Sequence, residues 1–72
     1  MTDKYVEFIK MAITASQGLE TAFKTHARKA KETGASRDEM DHVIIQILPI
    51  MGLARTMMAV KWLDEASKPI QS

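Results

Sequence analysis

Apolar residues recur at spacings of three and four in four stretches of this chain, a period that predicts helices rather than strands. In the first stretch, residues 2–16, Tyr5, Phe8, Ile9, Ala12 and Ser16 form the narrowest apolar face, and Val6, Met11 and Ile13 widen the arc past half the circumference. A helix apolar over so wide an arc packs on more than one side. Thr2 is placed to cap its start and Gln17-Gly18 to break it. The second stretch, residues 19–33, puts Leu19, Ala22, Phe23, His26, Ala27 and Ala30 on one face and Glu20, Lys24, Arg28 and Lys31 on the other. Gly34 comes next, where a helix commonly ends in a left-handed residue.

Ser36 with Glu39 three residues later spells a capping box, in which each side chain satisfies a backbone N–H left over at a helix start. The third helix then shows Met40, Val43, Ile44, Ile47, Leu48 and Met51 on one stripe, with Asp38, Glu39 and Asp41 complementing its dipole. Pro49 is expected to bend or end that helix, and Gly52 to permit a change of direction. A fourth helix is predicted over residues 53–67, anchored by Leu53, Met57, Val60, Trp62 and Leu63, with Pro69 marking a frayed tail over residues 68–72. The expected fold is all-α, a small antiparallel helical bundle in one domain over residues 1–72, since short loops force neighbouring helices together.

Length changes this picture. A chain of 72 residues buries only roughly 60% of the surface its unfolded form exposes. Small folds compensate with disulfides, metals or self-association. There are no cysteines, and the two histidines lie in no metal-binding motif, so neither a structural metal nor a bound cofactor is expected. Homo-oligomerisation is what remains, and the wide apolar arcs of the first and fourth helices call for it. Met40, Met51, Met57 and Met58 read as core or subunit packing, with a small-molecule pocket as the other reading.

Charge narrows the partners. A net charge of +1 makes no field strong enough to recruit nucleic acid or an anionic membrane. Ala30, Gly34 and Met40 have nearly the spacing of a DNA-binding helix-turn-helix. Asp38, Glu39 and Asp41 would repel phosphate there, however, and the subsequent VIIQILPIM is too apolar for a groove. Lys24, Arg28, Lys29 and Lys31 are interleaved with Glu20 and Glu32, which reads as a solvated face with local ion pairs. The opening MTDKYVEFIK mixes both signs and resembles no signal or transit peptide. The apolar run 43–54 contains Gln46, Pro49 and Gly52 and is too short to span a bilayer. A cytoplasmic protein is expected.

Candidate chemistry is sparse. His26 is the one ionisable residue in the middle of an apolar stripe: a core hydrogen-bonding residue on one reading, a proton shuttle near neutral pH on the other. The second reading needs an orienting carboxylate, and Glu7 is the candidate, although phasing puts it at the polar edge of its helix. His42, beside Asp38 and Asp41, reads as a surface residue.

Spacing then brings in a resemblance. Glu7, Leu19, Ala22 and His26 fall where the alkylhydroperoxidase D-like and carboxymuconolactone decarboxylase-like proteins carry a Glu, eleven residues, Cys-x-x-Cys, three residues and a His. Ala30, Gly34-Ala35-Ser36, Asp38-Glu39-Met40 and the ending PIMGLARTMMAVKWLDE are similar to the later segments of that family's pattern, so the likeness covers about residues 4–65. It implies the family's helical bundle, completed by assembly into a dimer to a hexamer. In the hydroperoxidase branch the two cysteines are the reactive thiols; here Leu19 and Ala22 stand there, so disulfide-based peroxide reduction is chemically excluded. The decarboxylase branch implies a cofactor-free role for His26 in proton transfer, tuned by Glu7, on a small carboxylate-bearing substrate. The alternative is a non-catalytic oligomeric binding or accessory protein of the same fold.

Overall fold

Two helix ends in this chain are built alike. After the first helix, Gly18 N–H donates to Ala15 O at 3.1 Å and Leu19 N–H to Thr14 O at 2.9 Å. After the second, Gly34 N–H donates to Lys31 O at 3.1 Å and Ala35 N–H to Ala30 O at 3.0 Å. Both are Schellman ends, with glycine in the left-handed region at φ 72° and φ 100° respectively. The computed structural model in which they are seen describes residues 2–46 and 48–68. These turns separate α1 (Asp3–Ser16), α2 (Glu20–Glu32) and α3 (Arg37–Gln46). The last element, α4 (Leu48–Ser67), is interrupted at Gly52 (φ 81°, ψ 170°), so its longer part begins at Leu53 as expected. Pro49 lies within the short turn before that break. All regular structure among the described residues is helical.

Caps form as the residues require. Ser36 N–H donates to Glu39 Oε1 and Glu39 N–H to Ser36 Oγ, both at 3.0 Å, which is the capping box of α3. Thr2 Oγ1 accepts from Tyr5 N–H at 3.4 Å. At the far end of α1, Arg55 Nη1 donates to Ser16 O at 3.0 Å, tying α4 to a carbonyl that has no partner within its helix.

The core is lined by many alanines, which let the helices approach closely. Ala15, Ala27, Ala30, Ala59 and Ala66 are buried around Met11, Phe23, Met40, Ile44, Trp62 and Leu63. The rings of Phe23 and Trp62 meet at a centroid distance of 6.1 Å and a tilt of 52°, joining α2 to α4 in a favoured aromatic geometry. Ion pairs staple the outside: Lys4–Glu39 at 3.0 Å joins α1 to α3, and Lys24–Glu65 at 2.9 Å joins α2 to α4.

Two helices pack only partly on the faces expected: Phe8 and Ala12 of α1 and Val60, Trp62 and Leu63 of α4 meet the core, but other positions do not. In α1 the buried residues are Glu7, Met11, Thr14 and Ala15, while Tyr5 (53%), Ile9 (46%) and Ile13 (49%) stay exposed. In α4, Thr56 and Ala59 are buried with Trp62 and Leu63, whereas the expected anchors Leu53 and Met57 are exposed. Threonine explains part of the difference. Thr14 Oγ1 donates to Lys10 O at 2.7 Å and Thr56 Oγ1 to Gly52 O at 2.9 Å, so both hydroxyls are satisfied within their own helices and the methyls can pack. On the other stripes, Phe23, Ala27, Ala30, Met40 and Ile44 are buried as expected, and Leu19 is exposed at the start of α2. The side chains of Ile47, Leu48 and Met51, and the tail from Pro69, lie outside the described residues.

Candidate active site

Glu7 lies one helical turn before Met11 on the packed face of α1, and His26 immediately precedes buried Ala27 on α2. The antiparallel pairing of the two helices sets them opposite each other. His26 Nδ1 lies 2.8 Å from Glu7 Oε1, within one chain. This corrects the expectation that Glu7 stands at the polar edge of its helix: the carboxylate is part of the face that packs, and the histidine satisfies it.

The two side chains differ in access. Glu7 is 9% exposed and His26 20%. Among the described residues His26 Nε2 has no hydrogen-bond partner, and none of their buried side-chain nitrogens or oxygens is left unpaired, so Nε2 reaches solvent. With Glu7 ionised, the bond at Nδ1 selects the tautomer whose N–H is on that atom. The lone pair of the neutral ring is then on Nε2, facing outward. Protonation of Nε2 gives an imidazolium that keeps its partner. A carboxylate-oriented histidine of this kind takes up and returns a proton at one accessible atom.

The remaining candidates are placed elsewhere. His42 is exposed, with Nε2 3.4 Å from Gln46 Nε2 on its own helix. It borders an open groove with Tyr5, Phe8, Asp38, Glu39 and Val43, and no hydrogen bond among the described residues links it to Glu7 or His26. Leu19 and Ala22 line a shallow concavity at the start of α2 with Gly18, Glu20 and Thr21. No group of three or more His, Asp or Glu residues that could hold a metal ion occurs among the described residues, and no described helix is long and apolar enough to cross a membrane.

The basic face of α2 divides. Lys24 is held between Glu20 at 2.8 Å and Glu65 at 2.9 Å, and the Glu20 hydrogen bond, followed by that of Glu65, raises its pKa above the usual lysine value. Lys29 forms no ion pair among the described residues. With Lys10, Val6, Glu7 and Thr33 it lines a groove of about 370 Å³ between α1 and α2, which Asp3 and Glu32 also border. Sequence reading passed over Lys10 and took Lys29 for part of a solvated, ion-paired face. The signal available was their spacing, three residues after Glu7 and three after His26.

The carboxymuconolactone decarboxylase family model matches residues 1–65. No curated protein and no solved structure matches the chain. The family match covers nearly the whole sequence and takes in both members of the hydrogen-bonded pair: the chain belongs to the carboxymuconolactone decarboxylase family.

Proposed function

We propose that this protein is an acid–base enzyme of the lyase or decarboxylase type, in which His26 transfers a proton to or from a small carboxylate-bearing substrate while Glu7 holds its ring. The observation that carries this reading is the 2.8 Å contact between a nearly buried carboxylate and a histidine whose other nitrogen is accessible. In a decarboxylation the electrons of the breaking C–C bond pass into the substrate's conjugated carbonyl as carbon dioxide leaves. The imidazolium at Nε2 then donates its proton to the resulting carbanion or enolate, and solvent restores it. Glu7 keeps the ring oriented through both states. Leu19 and Ala22 supply no thiolate, so no peroxide reduction with dithiol reductants is expected of this chain.

His26→Gln tests the proposal, because the glutamine amide can still donate a hydrogen bond to Glu7 but cannot give up or take a proton near neutral pH. Release of carbon dioxide from a panel of lactone and 3-oxo carboxylates should disappear, with helical content and assembly unchanged. Equal turnover by the variant, or no turnover of any panel member by the parent protein, would sink the enzymatic reading.

A second reading has its own support. Tyr5, Ile9 and Ile13 form an exposed stripe along α1 at spacing four, and Leu53, Met57 and Met58 are exposed on α4. We propose that these faces are covered in a homo-oligomer, between dimer and hexamer. If catalysis is absent, the protein acts as an oligomeric binding or accessory member of its family. Light scattering at micromolar concentration should show an assembly, and a stable folded monomer would overturn it.

A further inference from the structure

The groove between α1 and α2 has an unusual floor. Glu7 lines it, with its side chain nine-tenths buried, and only Oε1 of that carboxylate is engaged, by His26. Oε2 accepts no hydrogen bond from any described residue, yet it is not sealed, since no buried side-chain oxygen among the described residues lacks a partner. Glu7 lines the groove, and a nearly buried carboxylate with one oxygen free of donors from the described residues is a receptor for a hydrogen-bond donor. His26 is not among the residues that line this groove, so a molecule seated there meets Glu7 without displacing the histidine.

The rim decides what kind of donor fits. Lys10 comes from α1 and Lys29 from α2, both exposed and neither in an ion pair among the described residues. Asp3 and Glu32 also border the groove. A dianion would gain two lysines but face three carboxylates. A simple cation would gain the carboxylates and meet both lysines. A molecule carrying both signs satisfies each set, and a concavity of about 370 Å³ admits only a small one.

We propose that this groove binds a small zwitterion of the amino-acid class, its ammonium on Glu7 Oε2 and its carboxylate between Lys10 and Lys29. The site stands whether or not His26 transfers protons, because binding is read without turnover.

L-alanine and its two halves, propionate and ethylammonium, make the test. In an NMR titration of the full chain, alanine should shift the backbone amides of residues 6–10 and 29–33 saturably. It should do so at a concentration at least about tenfold below that needed for either half. The Lys10→Gln, Lys29→Gln double variant alters two exposed side chains and should fold as the parent does. In it, alanine should bind at least about tenfold more weakly, and no better than ethylammonium. Absence of saturable shifts, shifts confined to other residues, equal binding of alanine and propionate, or an unchanged affinity in the double variant would each overturn the site.

Discussion

α1 and α2 lie side by side, yet they obey different rules. α2 buries Phe23, Ala27 and Ala30, the face its apolar spacing announces. α1 has the more apolar sequence of the two, but it turns a carboxylate and a threonine inward and leaves Tyr5, Ile9 and Ile13 in solvent. Hydrophobic burial sets the rotation of α2. In α1 that drive is opposed by the Glu7–His26 bond, which would be broken if the helix rotated to bury its aliphatic stripe in the monomer. The same rotation would draw Met11 and Ala15 out of the core. The two helices thus separate a face kept for stability from one whose polar residue is fixed by a specific contact.

Substitutions at matched positions should make that contrast largest. Phe23→Ala removes the ring that meets Trp62 in the core and should cost about 3–5 kcal/mol in urea unfolding. Ile9→Ser removes a side chain of comparable hydrophobicity from α1 and should change the stability of the isolated protomer by less than about 0.5 kcal/mol. Its effect should appear in light scattering instead, as dissociation of the assembly. Similar losses of protomer stability for both would mean that α1 packs on its aliphatic face in solution.

The pair itself gives the next effect. In a double-mutant cycle of Glu7→Ala and His26→Ala, the coupling should be about 1.5–3 kcal/mol, the range of hydrogen bonds that involve a charged group. A coupling near zero would show that the rotation of α1 is set by Met11, Thr14 and Ala15 alone. The polar residue would then be carried inward passively.

Much of the fold was legible because its signals are local. The Ser36–Glu39 box, the Gly34 stop, the turn at Gly18 and the break at Gly52 each depend on residues within one turn of each other, and each formed where the chain announced it. His26 and Glu7 were legible as a pair, first as a histidine with its candidate carboxylate and then through the resemblance. The packing phase of α1 that brings them together was not, because it rests on residues a hydropathy pattern counts as outward. Thr14 and Thr56 enter the core by returning their hydroxyls to their own helices, and Glu7 enters by bonding to a residue 19 positions away. The groove lysines were hidden for a related reason, since it takes two helices in contact to show that Lys10 and Lys29 border one concavity.

The smallest expected effects lie where α1 meets α3, and they sharpen the comparison by showing how local electrostatics behaves outside the core. Ser36→Ala should cost about 1 kcal/mol by removing the cap on α3. Glu39 closes the same box and also ties α1 to α3. The Ser36 backbone N–H, and after it Lys4, hold the Glu39 carboxyl below its ordinary value of 4.5. A carboxyl with a lowered folded pKa binds protons more readily in the unfolded chain, so its contribution is fully present above about pH 4.5 and fades as pH falls through the folded value. Glu65 behaves the same way beside Lys24. Unfolding measured from about pH 6 down to about pH 3 should therefore show the parent protein losing more stability than Glu39→Gln, which has no proton to take up there. The two curves should draw together at the acid end. Parallel curves would mean that the Glu39 carboxylate gains nothing in solution from the Ser36 N–H and Lys4, and that the Lys4 tie does not help to hold α1 against α3.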